Sequence, residues 1–430
     1  MRIALVAQNS PLAQHTDPHD SVAAARVSSL AQALAELGHR ITIYARRDAK
    51  SLPGSAILAP GVRIEHVTAG PPAPLNPDQA AAHLAEFGTY LAQRWRRSRP
   101  DVIHAFSWTG GLAALAGARG LGVPVVQTFN SLGTAEQQYR APQPPSDVRL
   151  RLETCIARHA DLILASSIQE QADLARLGVR KNAVKVVPCG VDIQRFSPEG
   201  PTADRDERLR LLAAEPLSAP LGLGPALRAL AEIPEAELVI MGGPDQAELG
   251  KDRTYREIMR FARKLNVHDR VVATGRIGPD DLPALLRSAD LLMSTGLYEP
   301  VGLTSLQAMA CGTPVVSTTA GAEQDAIVDM TTGLITPPGR PAHLAWRIRQ
   351  LLANPLQLEA YGIAAADRAQ SRYSWERIGR ETLAAYSSLM PDTAVVAQTA
   401  EPDESEPTAT AEPVRTRARA ERRVPAGAPA

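Results

Sequence analysis

YEPVGLTSLQAMACGTPVVS, residues Tyr298–Ser317, follows directly on the apolar run Leu291-Leu292-Met293. The apolar run reads as a buried strand, Gly302 lies in a turn, and the spacing from about Thr304 to Cys311 predicts a helix. Gly312-Thr313-Pro314 stops that helix, and Val315-Val316 begins another strand. Strand, loop, helix and strand in this order make half of a nucleotide-binding α/β unit. A helix start beside Gly302 has free backbone N–H groups and the positive end of the helix dipole, which suit a phosphate. A plainer reading stands beside this one, in which Glu299 complements the helix dipole and Gly302 permits a tight turn.

The same alternation runs outward in both directions. Met1–Ala7, Arg40–Tyr44, Gly61–Val67, Pro100–His104, Pro124–Phe129, Ala160–Ala165 and Val184–Pro188 read as strands. Helical spacing separates them at Ser21–Leu37, Gln79–Arg97, Gly110–Leu121, Val148–Arg158 and Gln169–Leu177. A second series follows a polar linker, Glu199–Arg208. Its strands are Leu209–Ala213, Glu237–Met241 and Val271–Thr274, and its helices Pro225–Ala231, Tyr255–Leu265 and Asp280–Ser288. Strand Gly333–Thr336 and helices Ala342–Leu352, Leu356–Gly362 and Ala365–Ser371 complete it. Ser374 suits an N-cap for a closing helix with Ile378, Leu383 and Tyr386 on one face. Alternation of this kind predicts an α/β fold with mostly parallel sheets.

A chain of 430 residues is too long for one core, so two domains and appendages are expected. The balance of 46 basic and 46 acidic residues gives no pull toward nucleic acid or an anionic membrane. Aromatics, at 4%, offer no stacking platform for bases. No apolar run is long enough for a spanning helix, and the start, MRIALVAQNSPL, reads as a first strand and not as a signal peptide. Cys155, Cys189 and Cys311 are widely spaced without a CxxC, so they read as reduced thiols and not as a zinc site. These features predict a cytoplasmic protein. From Pro391 onward apolar periodicity vanishes, and 391–430 reads as a disordered tail with a basic end.

Tyr298–Val316 resembles the donor-site signature of family 4 of the retaining GT-B glycosyltransferases: Glu, seven residues, Glu, then Ala-Met-Ala-Cys-Gly-x-Pro-Val-Val. Pro188-Cys-Gly-Val-Asp through Phe196-Ser-Pro198 is similar to the family's interdomain passage, and Tyr373-Ser-Trp-Glu-Arg is again family-like. Pro100–Leu115, Glu153–Pro198, Glu237–Leu249 and Gly275–Ser288 extend the likeness. The nearest branch is the actinobacterial one that includes D-inositol-3-phosphate glycosyltransferase. The resemblance implies two Rossmann-like domains facing across a cleft, with a C-terminal helix crossing back to the first. The corresponding bounds are 1–195 for the acceptor-side domain, 196–373 for the nucleotide-sugar side, and 374–390 for the crossover helix.

The resemblance also implies site residues. Glu299 corresponds to the acid facing the transferred sugar, and His104, the surviving histidine of a His-Ala-His pattern, is a second catalytic candidate. Gln307 stands where the ribose-holding acid would be. Gly302, Leu303, Gly275, Arg276, Gly242 and Gly243 complete the donor side, with Gly275-Arg276 where main chain meets the nucleobase. Asn130, in place of a loop histidine, and Ser21, in place of a glycine-rich loop, lie on the acceptor side. The family's phosphate clamp is an Arg and a Lys just after the first strand of the second domain. Here those positions fall at Glu215 or Pro216 and at Leu221, so neither cation is present. Each such contact is worth ~1.5–3 kcal/mol. A carboxylate at Glu215 pointing inward would repel a diphosphate, and Arg228 on the following helix is the one candidate to compensate. Asn76 lies near the position of a Lys that binds acceptor phosphate in the inositol-phosphate branch.

Two functions follow. One is transfer of a hexosyl group, with retention, from a UDP-, GDP- or ADP-linked sugar to an acceptor hydroxyl. The other is a weakened or inactive GT-B pseudoenzyme that partners or regulates an active glycosyltransferase. Neither calls for a metal or a resident cofactor. A GT-B epimerase is disfavoured, because no substitute acid/base pair can be placed. Expected partners are the nucleotide-sugar, an acceptor, and a second copy or an active glycosyltransferase, with peripheral contact to the inner face of a membrane as an option.

Overall fold

Runs of apolar residues buried on both faces build two parallel sheets, as helix-covered strands require. The computed structural model describes residues 1–13, 18–139, 144–215, 217, 220–278 and 280–390, and of residues 18–20, 220 and 221 the backbone alone. The first sheet holds β1 (Arg2–Ala7), β2 (Arg40–Arg46), β3 (Ser55–Ala59), β4 (Val62–Val67), β5 (Val102–Phe106), β6 (Val125–Thr128), β7 (Leu162–Ala165) and β8 (Val184–Val186). Their order is β3-β4-β2-β1-β5-β6-β7-β8, parallel except for β3. The second sheet holds β9 (Leu209–Ala213), β10 (Ala236–Ile240), β11 (Val271–Ala273) and β12 (Leu291–Ser294). After the short β13 (Tyr298–Glu299) come β14 (Val315–Ser317), the short β15 (Ala320–Gly321) and β16 (Gly333–Ile335). The sheet order is β11-β10-β9-β12-β14-β16, and β13 pairs with β15 beside it.

Both orders reverse once along the chain, between β1 and β5 in the first sheet and between β9 and β12 in the second. In an open α/β sheet, the crevice beyond the strands' carboxyl ends at such a reversal is where ligands bind. The architecture is two Rossmann-like α/β halves within the compact unit Met1–Leu389.

Helix Trp375–Ser387 crosses back to the first half. Its Gly379 faces Ala33 of helix Pro18–Glu36 and Leu37 just after it, and its Tyr386 is fully buried. The two chain passages between the halves are laced together, with the Val191 N–H donating to the Tyr373 carbonyl at 2.7 Å. Ser374 occupies the N-cap position, but its side chain makes no capping bond. The expected tail, 391–430, lies outside the described residues.

Several local expectations change. Gln79–Arg97 is two helices, Pro77–Ala81 and Leu84–Arg97, and Asn76 and Gln79 close a capping box at the start of the first. Asn76 is thereby committed to that cap. The segments 356–362 and 365–371 are one helix, Pro355–Tyr373. Gly362 does not end it. A side chain there would meet the Gly312 carbonyl at 2.3 Å, so the glycine lets this helix lie against the turn after helix Leu303–Ala310. The edge strand β3 and helix Gly133–Gln138 were not anticipated; β3 is short, and its Ile57 is exposed.

Candidate functional site

The donor-side candidates gather at the carboxyl ends of adjacent strands. Gly242-Gly243 follow β10 and Gly275-Arg276 follow β11, and the two loops bridge each other through Gly242 and Gly275. A side chain at position 275 would lie 2.9 Å from the Pro244 carbonyl, which explains the glycine. Arg276 pairs with Asp245 at 2.7 Å on the exposed surface.

Glu299 and Gly302 enter helix Leu303–Ala310 after β12 and β13. Gly302 is the N-cap, with a left-handed φ of 72°, and it has no side chain to cap the first turn. Glu299 Oε1 accepts from the N–H groups of Val301 and Gly302, at 3.0 and 2.9 Å. The plainer reading of both residues therefore describes these bonds. Leu303 and Gln307 lie half-buried on the helix, and the Gln307 amide makes no hydrogen bond among the described residues.

Two buried carboxylates complete this end of the sheet. Glu323 accepts from the hydroxyls of Ser305, Ser317 and Thr319, tying the helix start to the end of β14. Glu215, just after β9, turns inward. Its Oε1 accepts from the N–H groups of Thr295 and Gly296, each at 2.5 Å, at the end of β12. That position is the reversal point of the second sheet. Burial pushes the Glu215 carboxyl up to about 7; the nearby Glu323 adds to this and the two N–H groups oppose it. Among the described residues neither carboxylate has a cationic partner. Arg228 does not compensate: its guanidinium sits over the Phe261 ring, 5.0 Å from the centroid, on an outer helix. The Leu221 side chain lies outside the described residues. No group of His, Cys, Asp and Glu among the described residues is arranged to hold a metal ion.

The acceptor-side candidates are dispersed. Asn130 follows β6 with φ 64°, and its Oδ1 accepts from Arg26 Nη1 at 3.1 Å. Arg26 also donates to Ser166 Oγ at 3.0 Å and is buried. Nothing in helical spacing singled Arg26 out; its one signal is an arginine inside the apolar run of helix Pro18–Glu36. Ser21 lies exposed in the first turns of that helix.

His104 lies in the core of the first half. It is 1% exposed; Nδ1 bonds the Tyr386 hydroxyl at 2.7 Å and Nε2 the Thr128 hydroxyl at 2.9 Å. Burial, with Arg26 nearby, lowers its pKa to about 3. Neither ring nitrogen is left for a substrate.

Residues 23–195 match the family model described as Glycosyltransferase Family 4, and residues 220–368 match Glycosyl transferases group 1. The D-inositol 3-phosphate glycosyltransferase of Kribbella flavida is 31% identical over 411 residues, covering 90% of this chain and 95% of that protein. That of Actinosynnema mirum is 32% identical, covering 84% of this chain and 90% of its own. Among solved structures, sucrose-phosphate synthase from Thermosynechococcus elongatus superposes with a TM-score of 0.79 at 26% identity, covering 90% of this chain and 98% of its own. Anabaena HepE in complex with UDP and glucose has a TM-score of 0.70 at 21% identity, covering 90% and 100%, a likeness of fold. The chain belongs to glycosyltransferase family 4 and has the GT-B fold.

Proposed function

We propose that this family 4 glycosyltransferase chain does not hold a nucleoside-diphosphate sugar as a working donor, and that it serves as a non-catalytic partner or regulator of an active glycosyltransferase. The observation that carries this reading is Glu215. Its carboxylate takes the Thr295 and Gly296 N–H groups at the sheet's reversal point, where an incoming anion would need donors. The family places a cation in this segment; here a carboxylate faces inward with no cationic partner among the described residues. A diphosphate arriving there would find no cation among the described residues and the two N–H donors already taken by Glu215.

A second reading is retaining hexosyl transfer from a UDP-, GDP- or ADP-linked sugar to an acceptor hydroxyl. It is favoured by similarity over nearly the full length of D-inositol 3-phosphate glycosyltransferases, and by Glu299 standing at the start of helix Leu303–Ala310. In that reading Glu299 meets the sugar and Gln307 the ribose. Gly275 and Arg276 meet the base, while Gly242, Gly243, Gly302 and Leu303 let the donor approach. Asn130 and Ser21 then face the acceptor, and the protein works in the cytoplasm or at the membrane's inner face. Among the described residues no helix is long and apolar enough to cross a membrane.

Isothermal titration with UDP, GDP, ADP and their glucose conjugates, beside an assay of transfer and hydrolysis, separates the two. The first reading expects no micromolar binding and no turnover. Micromolar binding of any donor, or turnover, overturns it in favour of the second.

A further inference from the structure

A cavity of about 340 Å³ lies beside the passages between the two halves. Pro188, Arg368, Arg372, Tyr373, Arg377 and Glu381 line it. Pro188 belongs to one passage between the two halves. The other five belong to the second passage, at the end of helix Pro355–Tyr373 and the start of helix Trp375–Ser387.

Three guanidinium groups meet one carboxylate here. Arg368 is held from behind: its Nε donates to the Ala326 carbonyl at 2.7 Å and its Nη2 to that of Asp325 at 2.9 Å, with the Tyr373 ring 5.9 Å away. Arg377 pairs with Glu381 at 2.8 Å. Of the other acids, Glu376 is taken by Arg380 at 2.5 Å, and the Asp325 carboxyl accepts from the Ile168 N–H and feels the Arg368 charge. Arg372 has no hydrogen bond or ion pair among the described residues and is exposed. A cation in the last turn of a helix offsets the helix dipole, which accounts for Arg372 alone. It does not account for Arg368 and Arg372, four residues apart on one helix face, crowded together with Arg377. Like charges so placed are unfavourable until an anion joins them.

We propose that this cavity is a seat for a phosphate monoester. Arginine forks match phosphate oxygens two at a time, and two of the three are fixed in place beforehand. The volume accommodates a phosphate with a small polar body such as a sugar.

The test is titration of the full chain with inorganic phosphate, pyrophosphate and a hexose 6-phosphate, and separately with phosphatidylcholine vesicles with and without phosphatidic acid. Arg372→Ala is the informative variant, because its side chain bonds nothing that the fold needs; Arg372→Lys keeps the charge without the fork. Saturable binding that weakens about ten-fold or more in Arg372→Ala, and partly in Arg372→Lys, is expected. Binding of the soluble phosphates alone assigns the seat to a soluble monoester, and binding of phosphatidic acid vesicles alone assigns it to a lipid head group. Either result supports the phosphate seat. No binding in any arm, or binding that Arg372→Ala leaves unchanged, overturns it. Donor titrations repeated in Arg372→Ala keep the two proposals apart: binding that survives the variant reports on the Glu215 region, and binding lost with it reports on this cavity.

Discussion

Glu215 and His104 are both buried ionisable groups, and they bend stability with pH in opposite senses. An ordinary carboxyl titrates near 4.5, and Glu215 in the folded chain near 7. Between these values the native state binds more protons than the unfolded one, so stability falls as pH rises through the window, by roughly 3 kcal/mol when complete. Glu215→Gln keeps an oxygen for the Thr295 and Gly296 N–H groups but no longer ionises. Its stability relative to the parent should therefore rise from pH 5 to pH 8, as urea unfolding at the two pH values will read. A difference independent of pH would show that Glu215 does not carry the penalty. His104 goes the other way: its ordinary value of 6.5 drops to about 3 on folding, so its contribution is lost as pH falls below 6.5. Tyr386→Phe removes the hydroxyl bonded to Nδ1 and leaves that nitrogen buried without a partner. A loss of about 1–3 kcal/mol is expected in denaturant melts at neutral pH.

At the scale of elements, Gly362 gives a prediction of unusual sign. Replacing a helix-interior glycine with alanine ordinarily stabilises by up to ~1 kcal/mol. Here the added carbon would lie 2.3 Å from the Gly312 carbonyl. Helix Pro355–Tyr373 must move off helix Leu303–Ala310 or bend, so Gly362→Ala should destabilise by about 1–3 kcal/mol. Thermal unfolding decides; a raised melting temperature would mean that the two helices have room to separate. Glu323→Ala should cost about 2–4 kcal/mol in the same measurement, because three buried hydroxyls lose their acceptor.

The strands were legible because buried parallel strands are written as short apolar runs. Leu291-Leu292-Met293 and Leu209–Ala213 needed nothing further. The short edge strand Ser55–Ala59 was not, since half-exposed Ala and Ser carry no such signal. In the site, Glu299 and Gly302 stood out through their spacing from the helix, and Glu215 through standing where a cation was expected. Its bonds to Thr295 and Gly296 were out of reach, because they join strand ends 80 residues apart. Glu323 and its hydroxyls were invisible for a related reason: Ser, Thr and Glu look like surface residues until the fold closes over them. The surroundings of His104 were not legible, because a histidine at a strand end looks alike whether it faces a cleft or the underside of a helix.

At the scale of the molecule, side chains of the two halves also meet among the described residues. Tyr298 stacks on Tyr139 with ring centres 5.1 Å apart, and the Ile168 N–H donates to Asp325 at 2.7 Å. Burial and the surrounding acids, Glu170 first among them, push the Tyr298 hydroxyl far above its ordinary value, so it stays neutral at any physiological pH. Tyr298→Ala removes the stack while leaving the laced passages at Val191 and Tyr373 in place. A larger radius of gyration by small-angle scattering, with unfolding still in one step, is the expected outcome. An unchanged radius would place the control of opening in the passages alone.

His104 and Tyr386 are separated by 282 residues of chain. On the ribosome, β5 emerges long before the helix that covers it. Domains generally fold as units and the leading one first during synthesis. This chain cannot finish its leading core that way, for Ala33, Leu37 and His104 wait for Gly379 and Tyr386. Until helix Trp375–Ser387 is translated, the first half carries an open greasy seam, and a nascent chain stalled before residue 375 should be a client for chaperones.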